Sequence, residues 1–296
     1  FGDGDAKGLS RADVFDTVST ERYVWFGTDI GVYRYDRASG KWWVYSPNIS
    51  RGETHVLIDS NVQAIAHNRY YVYFGTPLGI SRLDKFTGSW MDITRRDGLP
   101  EPDVRKIVTD DLDIWAATPH GVEHYDHVAD EWTLYTHRDG LPSDEIFDIA
   151  RGEDAIWIGT PNGAARFDKK RGTWHRITEG DGLPDRTVRA VAVDGERVWF
   201  GTPKGVAVLN TKLNSWDWFT EADGLVSDDV RSIYIMDPYV LIGGPKGTTI
   251  YDKDLGTFSP FTKIDGLRDN LIKAFDARRN YAWFGTSFGL TLYDLV

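Results

Sequence analysis

The sequence predicts an all-β protein built from seven repeats, and three observations lead to this prediction. A motif of the type Trp-Phe-Gly-Thr occurs seven times, and its third residue falls at positions 27, 75, 117, 159, 201, 243 and 285. Each repeat contains four short runs rich in β-branched and aromatic residues, separated by Gly, Asp, Asn and Pro as strands are. No window shows the periodicity of an amphipathic helix. Four-stranded units that recur about every 40 to 50 residues are typical of a β-propeller, so we predict one seven-bladed propeller over residues 1–296.

The first two strands of each repeat are indicated by apolar residues. The first, inner strand carries an apolar residue followed three positions later by an aliphatic or aromatic one, or by Thr in the first repeat. These pairs are Val14/Thr17, Val62/Ile65, Val104/Ile107, Ile146/Ile149, Val188/Val191, Val230/Ile233 and Ile272/Phe275. The second strand carries the repeated motif, whose Trp is expected to fill the seam between neighbouring sheets.

The third strand follows a tight turn and usually runs from Gly-apolar to aromatic-Asp, as from Gly163-Ala164 to Phe167-Asp168. Four residues after this Asp, each turn carries Gly, Asn or Asp, which tolerate a left-handed backbone. These turn residues are Gly40, Gly88, Asp130, Gly172, Asn214 and Gly256. The fourth strand opens with Trp or Phe, as at Trp174. In the Asp-Gly-Leu connectors that follow, we expect Asp to accept hydrogen bonds within its own turn and Leu to enter the core.

Two departures from the repeat concern its beginning and its end. The first step between motifs is 48 residues and the other five are 42. The excess maps to an insertion at residues 47–58, between blades one and two, and insertions on one face often mark the binding face. No fourth strand with a Trp follows Tyr293-Asp294. We therefore expect an incomplete seventh blade, three-stranded or closed by residues 1–5, with an edge that another chain could pair with.

Composition disfavours several classes of protein. The formal net charge is −11 and no Lys/Arg-rich run occurs, which argues against nucleic acid as a partner. No apolar stretch approaches the roughly 20 residues of a membrane-spanning helix. The absence of Cys removes disulfides, thiol nucleophiles and thiolate metal sites. No G-x-S-x-G or H-E-x-x-H motif is present, so we expect no cofactor, and a binding protein is favoured over an enzyme.

Four histidines lie in one repeat, and we considered them as metal ligands. They are His120, His124, His127 and His137. His120 and His127 are expected at opposite ends of a strand, roughly 20 Å apart, so the run does not form one site. His120 and His137 share a face, but no third ligand is evident. We therefore expect no metal.

The repeat resembles a known family. Asp139-Gly140-Leu141-Pro142, Trp157-Ile158-Gly159-Thr160, Phe167-Asp168 and Trp174 together resemble the two-component regulator propeller repeat, and the resemblance covers nearly the whole chain. It implies a sensor-type propeller outside the cytoplasm, so the expected location is periplasmic or extracellular. The lack of Cys is compatible with export. The motif residues of that family are structural, so the resemblance is specific for fold and does not identify a ligand.

A column of basic residues offers a candidate ligand site. Near the start of the inner strand, four repeats carry a cation: Arg105, Arg189, Arg231 and Lys273. If these side chains converge near the propeller axis, together with His120 they could bind an anionic ligand. In the alternative interpretation each cation pairs with nearby acids such as Asp103, Asp228 or Asp229, and the family resemblance favours this alternative.

Other residues are candidates for contact with a protein partner. Trp43 and Trp218 lie off the repeat pattern, and Arg51 and His55 belong to the insertion. We predict a non-catalytic, exported binding module that senses a small or polymeric ligand or docks a partner protein through its loop face. Two alternatives stay open: a scaffold or accessory subunit of a larger extracytoplasmic assembly, and a propeller lyase or hydrolase with an axial site.

Overall fold

The computed structural model describes residue 9 and residues 12–47, 56–278 and 281–294. In this part of the chain the strands form seven sheets, six with four strands and one with three. The fold is a seven-bladed β-propeller, so the predicted all-β class and blade number are confirmed. Among the described residues the seventh blade has three strands, as expected. Residues 1–5, expected to close the seventh blade, and residues 48–55 of the insertion lie outside the described residues.

The strands of each sheet follow one another in sequence order and pair antiparallel through hairpins. The first sheet contains β1 (Val14–Ser19), β2 (Tyr23–Thr28), β3 (Gly31–Asp36) and β4 (Trp42–Tyr45). The second contains β5 (Ala64–His67), β6 (Tyr71–Thr76), β7 (Gly79–Asp84) and β8 (Trp90–Ile93). The third contains β9 (Lys106–Asp110), β10 (Asp113–Thr118), β11 (Gly121–Asp126) and β12 (Glu131–Tyr135).

The remaining sheets repeat this arrangement. The fourth contains β13 (Asp148–Arg151), β14 (Ala155–Thr160), β15 (Gly163–Asp168) and β16 (Thr173–Ile177). The fifth contains β17 (Ala190–Asp194), β18 (Arg197–Thr202), β19 (Gly205–Asn210) and β20 (Ser215–Phe219). The sixth contains β21 (Ser232–Met236), β22 (Tyr239–Gly244), β23 (Gly247–Asp252) and β24 (Thr257–Phe261). The seventh contains β25 (Ala274–Arg278), β26 (Tyr281–Thr286) and β27 (Gly289–Asp294).

The described residues divide into two compact units. The first unit draws on Phe1–Thr118, Glu123–Thr133 and Lys273–Val296, and the second on Pro119–Val122 and Leu134–Ile272. Sheets one, two and seven and most of sheet three thus belong to the first unit. Sheets four, five and six belong to the second. That residues 1–296 fold as one domain stays a prediction.

Helix in the described residues is limited to four 3-10 turns of three residues each, none of which is long enough to span a membrane. Each turn occupies a connector, as at Arg95–Asp97, and is closed by a Thr and an Asp. The Asp97 carboxylate accepts a hydrogen bond from the Thr94 N–H at 2.9 Å. The leucine after each connector glycine is buried, as Leu99 is at 1% exposure. The predicted connector chemistry is therefore confirmed.

Aromatic residues of the repeated motif pack between successive sheets of each unit. In the first unit, the ring centroids of Trp25 and Phe74 lie 5.4 Å apart, and in the second those of Trp157 and Phe200 lie 6.0 Å apart. The glycine of the motif allows this close approach. A Cβ added to Gly159 would lie 2.6 Å from the carbonyl oxygen of Val188.

The hairpin turns between the second and third strands are closed by the motif's Thr. In the first sheet, the Thr28 hydroxyl donates to the Gly31 carbonyl oxygen at 2.7 Å and accepts from the Ile30 N–H at 3.2 Å. The same pair of hydrogen bonds forms at Thr76, Thr160, Thr202 and Thr286. Each of these turns is thus stabilised by its own residues.

Candidate functional site

A cleft of about 1250 Å³ opens between the first and second sheets, within the first unit. We call it the Arg34 cleft. One side is lined by Tyr23, Trp25, Arg34, Trp43 and Tyr45, and the other includes His67, Lys85 and Trp90. It is larger than the equivalent clefts between sheets two and three, about 450 Å³, and between sheets four and five, about 760 Å³.

Strand register gathers the aromatic side of this cleft around one cation. Arg34 of β3 pairs directly with Trp25 of β2 and with Trp43 of β4. Because side chains two residues apart on a strand point to the same face, Tyr23 and Tyr45 lie on that face as well. Arg34 thus lies between Trp25 and Trp43 across the sheet. Tyr23 and Tyr45 lie beside these tryptophans on the same face.

The Arg34 guanidinium carbon lies over all four rings. Its distances to the ring centroids are 4.5 Å for Tyr23, 5.3 Å for Trp25, 4.4 Å for Trp43 and 5.3 Å for Tyr45. Each such cation–π contact contributes about 0.5–1 kcal/mol at an exposed site and more where water is excluded. The rings therefore hold the charge in place.

Arg34 has hydrogen-bonding capacity that the described residues leave unused. No hydrogen bond or ion pair joins it to any residue that the structure describes, and its buried Nε has no hydrogen-bond partner. A guanidinium offers five N–H donors in a planar fork that matches a carboxylate. Buried donors normally have partners, so this arrangement favours a ligand that brings acceptor oxygens.

Two other cations of the cleft, Arg22 and Lys85, have polar partners in the protein. Arg22 forms an ion pair with Asp36 at 2.7 Å, and this pair holds the pKa of the Asp36 carboxyl well below its usual range. The Lys85 Nζ lies 3.2 Å from the His67 Nδ1, and burial lowers the pKa of Lys85. Arg69 also lines the cleft and lies over the single ring of Tyr70 at 5.6 Å, whereas Arg34 lies over four rings.

The residue equivalent to Arg34 differs among the seven repeats. At the fourth residue of the third strand the seven repeats carry Arg34, Arg82, His124, Arg166, Val208, Ile250 and Leu292. Arg82 lies over the ring of Tyr71 at 4.3 Å, whereas Arg166 also pairs with Asp168 at 3.6 Å. This column was not predicted from the sequence, because the motif aromatics were interpreted only as residues that fill the seam between neighbouring sheets. Comparison of the third strand across repeats could have found it.

The basic column predicted from the sequence shows ion pairs at all four positions. In the second unit, Asp229 bonds both Arg189 and Arg231, the latter at 2.8 Å. Burial, followed by the charge of Arg231, lowers the pKa of Arg189. In the first unit, Arg105 pairs with Asp103 at 3.2 Å.

Lys273, the fourth cation of that column, pairs with Asp13 at 2.8 Å. These ion pairs are the ones expected if each cation of the basic column pairs with a nearby acid. Anion binding by the column stays a prediction. His120 is exposed in the turn between β10 and β11, and His137 bonds Asp144 at 2.7 Å.

The candidate partner contacts have different surroundings. Trp43 is half-buried and forms part of the Arg34 cleft. Trp218 is 51% exposed, and its indole N–H donates to the Gly182 carbonyl oxygen at 2.8 Å. Arg51 and His55 lie outside the described residues. This hydrogen bond fixes the orientation of the exposed Trp218 ring. Contact of Trp218 with a partner stays a prediction.

Comparison with known proteins shows similarity of fold. No protein-family model and no curated protein matches the chain. The extracellular domain of BT4673 from B. thetaiotaomicron, assigned to a one-component system, has a TM-score of 0.76 at 22% identity, over 95% of this chain and 38% of its own. The extracellular domain of BT3049, assigned to a hybrid two-component system of the same organism, has a TM-score of 0.78 at 17% identity, over 96% of this chain and 40% of its own.

A third similar structure is PorZ, a bacterial surface component of the type-IX secretion system of Porphyromonas gingivalis. It has a TM-score of 0.71 at 16% identity, over 97% of this chain and 37% of its own. The chain thus spans about two fifths of the length of each of these three structures. At such identities the likeness concerns the propeller fold alone.

Proposed function

We propose that this chain is a non-catalytic binding module that works outside the cytoplasm and takes a carboxylate of its ligand in the Arg34 cleft. The observation that carries the proposal is the Arg34 guanidinium, held by four aromatic rings and not paired with any carboxylate among the described residues. The surrounding rings would contact the apolar body of the ligand. A few placed polar groups in a largely apolar cleft are typical of ligand sites.

Charge supports a specific anion site. The chain has a net charge of −11, so an anion is repelled on average and is attracted only where a cation is locally uncompensated. At Arg22, Arg105 and Lys273 an adjacent carboxylate compensates the cation. Arg34 contacts four aromatic rings and no carboxylate among the described residues. A carboxylate on Arg34 could belong to a small molecule or to an acidic side chain of a partner protein.

The extracytoplasmic location rests on two kinds of similarity. The repeat resembles that of sensor-type propellers, and three solved structures of similar fold are extracellular domains or a surface component. Both favour an exported module that senses a ligand or docks a partner. A scaffold role is a second candidate, because β27 has no strand beyond it among the described residues and could pair with a strand of another chain.

Titration with a carboxylate and its neutral analogue tests the proposal. Trp25 and Trp43 line the cleft, so their fluorescence reports on it. We expect benzoate to quench this fluorescence more strongly than benzamide. Arg34→Leu, which copies Leu292 of the seventh repeat, should weaken benzoate binding about 10-fold or more, since a hydrogen bond to a charged group contributes about 1.5–3 kcal/mol.

Arg166→Leu is the matched control, because Arg166 occupies the same position in the fourth sheet but pairs with Asp168. It should leave benzoate binding unchanged. A Glu-containing peptide and its Gln counterpart distinguish a protein partner from a small molecule as the source of the carboxylate. If Arg34→Leu and the parent chain bind benzoate equally, or if benzamide binds as well as benzoate, the proposal is wrong.

A further inference from the structure

A cluster of one imidazole and two carboxylates lies at one end of the third sheet, in the first unit. The metal-binding atoms of Asp113, Asp126 and His127 all lie within 4.8 Å of one another. The His127 Nδ1 is 2.6 Å from the Asp113 Oδ1. Two ligands on one zinc ion lie about 3–3.5 Å apart, so small side-chain rotations bring these three atoms onto a common centre.

The repeat provides an internal comparison for this cluster. At the first position of the second strand, the other repeats carry Tyr23, Tyr71, Ala155, Arg197, Tyr239 and Tyr281 in place of Asp113. At the position after the third strand, they carry Arg37, Lys85, Lys169, Thr211, Lys253 and Leu295 in place of His127. Both ligand types therefore occur together in the third repeat alone. Asp126, by contrast, occupies a position that is Asp in six of the seven repeats.

The carboxylates are held in place before any ion binds. The Asp126 Oδ1 accepts the backbone N–H groups of Val128 at 2.8 Å and Ala129 at 3.0 Å, which leaves its Oδ2 for another partner. The Asp113 Oδ2 lies 3.2 Å from the His124 Nε2. His124 is fixed in turn, because its ring stacks on Trp115 with a centroid distance of 3.9 Å and an angle of 12°.

We propose that Asp113, Asp126 and His127 bind a divalent transition-metal ion of the zinc class, with His124 as a positioning residue for Asp113. Imidazole and carboxylate together suit Zn²⁺, whereas Ca²⁺ prefers oxygen ligands alone. Water would complete the coordination. Partners that orient a ligand, as His124 orients Asp113, typically change metal affinity about 10–100-fold. This site is independent of the Arg34 cleft.

Calorimetric titration of the untagged chain with Zn²⁺ tests the proposal, with Ca²⁺ as the comparison ion. We expect one equivalent of Zn²⁺ to bind and to raise the melting temperature, and Ca²⁺ to have no effect. His127→Lys and Asp113→Tyr copy residues of other repeats at the same positions, so both variants should fold. Each should lose Zn²⁺ binding and the increase in melting temperature.

Two further variants separate the ligands from the scaffold. His124→Phe keeps the ring on Trp115 and removes the bond to Asp113, so Zn²⁺ affinity should fall about 10-fold or more. Lys85→His places an imidazole at the same turn of the second sheet, where Tyr71 replaces the carboxylate, and should add no second equivalent. Absence of binding at millimolar Zn²⁺, or binding that His127→Lys leaves unchanged, would overturn the proposal and identify a simple imidazole–carboxylate pair.

Discussion

Replacing Glu123 with Gln is expected to stabilise the protein by an amount that grows as the pH rises. Glu123 lies in β11 with no exposed surface, and its Oε2 is buried without a hydrogen-bond partner in the described structure. Its Oε1 accepts the Glu101 N–H. Burial, which disfavours the charged form, raises the pKa of Glu123 to about 8.

The magnitude follows from the difference between the folded and unfolded pKa of this carboxyl. In the unfolded chain the pKa lies near 4.5 and in the folded chain near 8. Below pH 4.5 the group is protonated in both states and causes no loss of stability. Between these values the unfolded state releases the proton first, so the free energy of unfolding falls by about 1.4 kcal/mol per pH unit. The loss reaches about 5 kcal/mol and levels off above pH 8.

Urea unfolding of both proteins at pH 4.5, 6 and 8, values set around the two pKa values of Glu123, measures this effect. Gln cannot ionise and keeps an oxygen acceptor for Glu101, so the difference between variant and parent should increase in favour of the variant with pH. Any constant cost of burying the new amide shifts all points equally. Glu145→Gln, at an exposed residue, is the control and should show no such trend. A difference for Glu123→Gln that does not change with pH would refute the reasoning.

Two further predictions, tested by three substitutions, concern local features of the fold. Gly182 has a φ of 133°, and a Cβ there would lie 2.7 Å from the Trp216 ring, so Gly182→Ala should lower the free energy of unfolding by about 2–4 kcal/mol. Gly172→Ala, at a φ of 67° with no atom within 4 Å of the added Cβ, should cost only about 1 kcal/mol in the same urea assay, and equal losses would contradict the steric argument. Asp229→Asn leaves its two arginine partners unpaired at the protein surface and should destabilise by about 1 kcal/mol at low salt and less in concentrated NaCl. A loss that is insensitive to salt would indicate a packing role for this residue.

Much of the fold could be predicted because its determinants are local in sequence. The left-handed turn residues illustrate this, since Gly40 has a φ of 68°, Asp130 of 56° and Asn214 of 51°, as the spacing predicts. The connector capping by Thr94 and Asp97 depends on residues three positions apart. Repetition strengthens such signals, because each repeat is an independent observation of the same pattern.

The candidate sites were harder to predict because they depend on register between strands. Arg34 gains its rings from β2 and β4, and the assignment of these rings requires knowing which residues lie opposite one another. The histidines were assessed as metal ligands by their positions along one strand. This placed His120 and His127 at opposite ends of β11, as the structure does. That view omitted Asp113, which comes close to His127 because the two residues lie at the same end of one hairpin.

The Thr-closed hairpin turns have a consequence for protein engineering. Since the Thr hydroxyl and the backbone provide the hydrogen bonds of the five Thr-closed turns, the side chain just before the glycine contributes little to their geometry, and it varies from apolar to basic among these turns. All five of these side chains are exposed: Ile30, Leu78, Asn162, Lys204 and Phe288. A combinatorial library randomised at these five positions should therefore retain its folded fraction, and selection from it could yield new binding specificities on an unchanged framework.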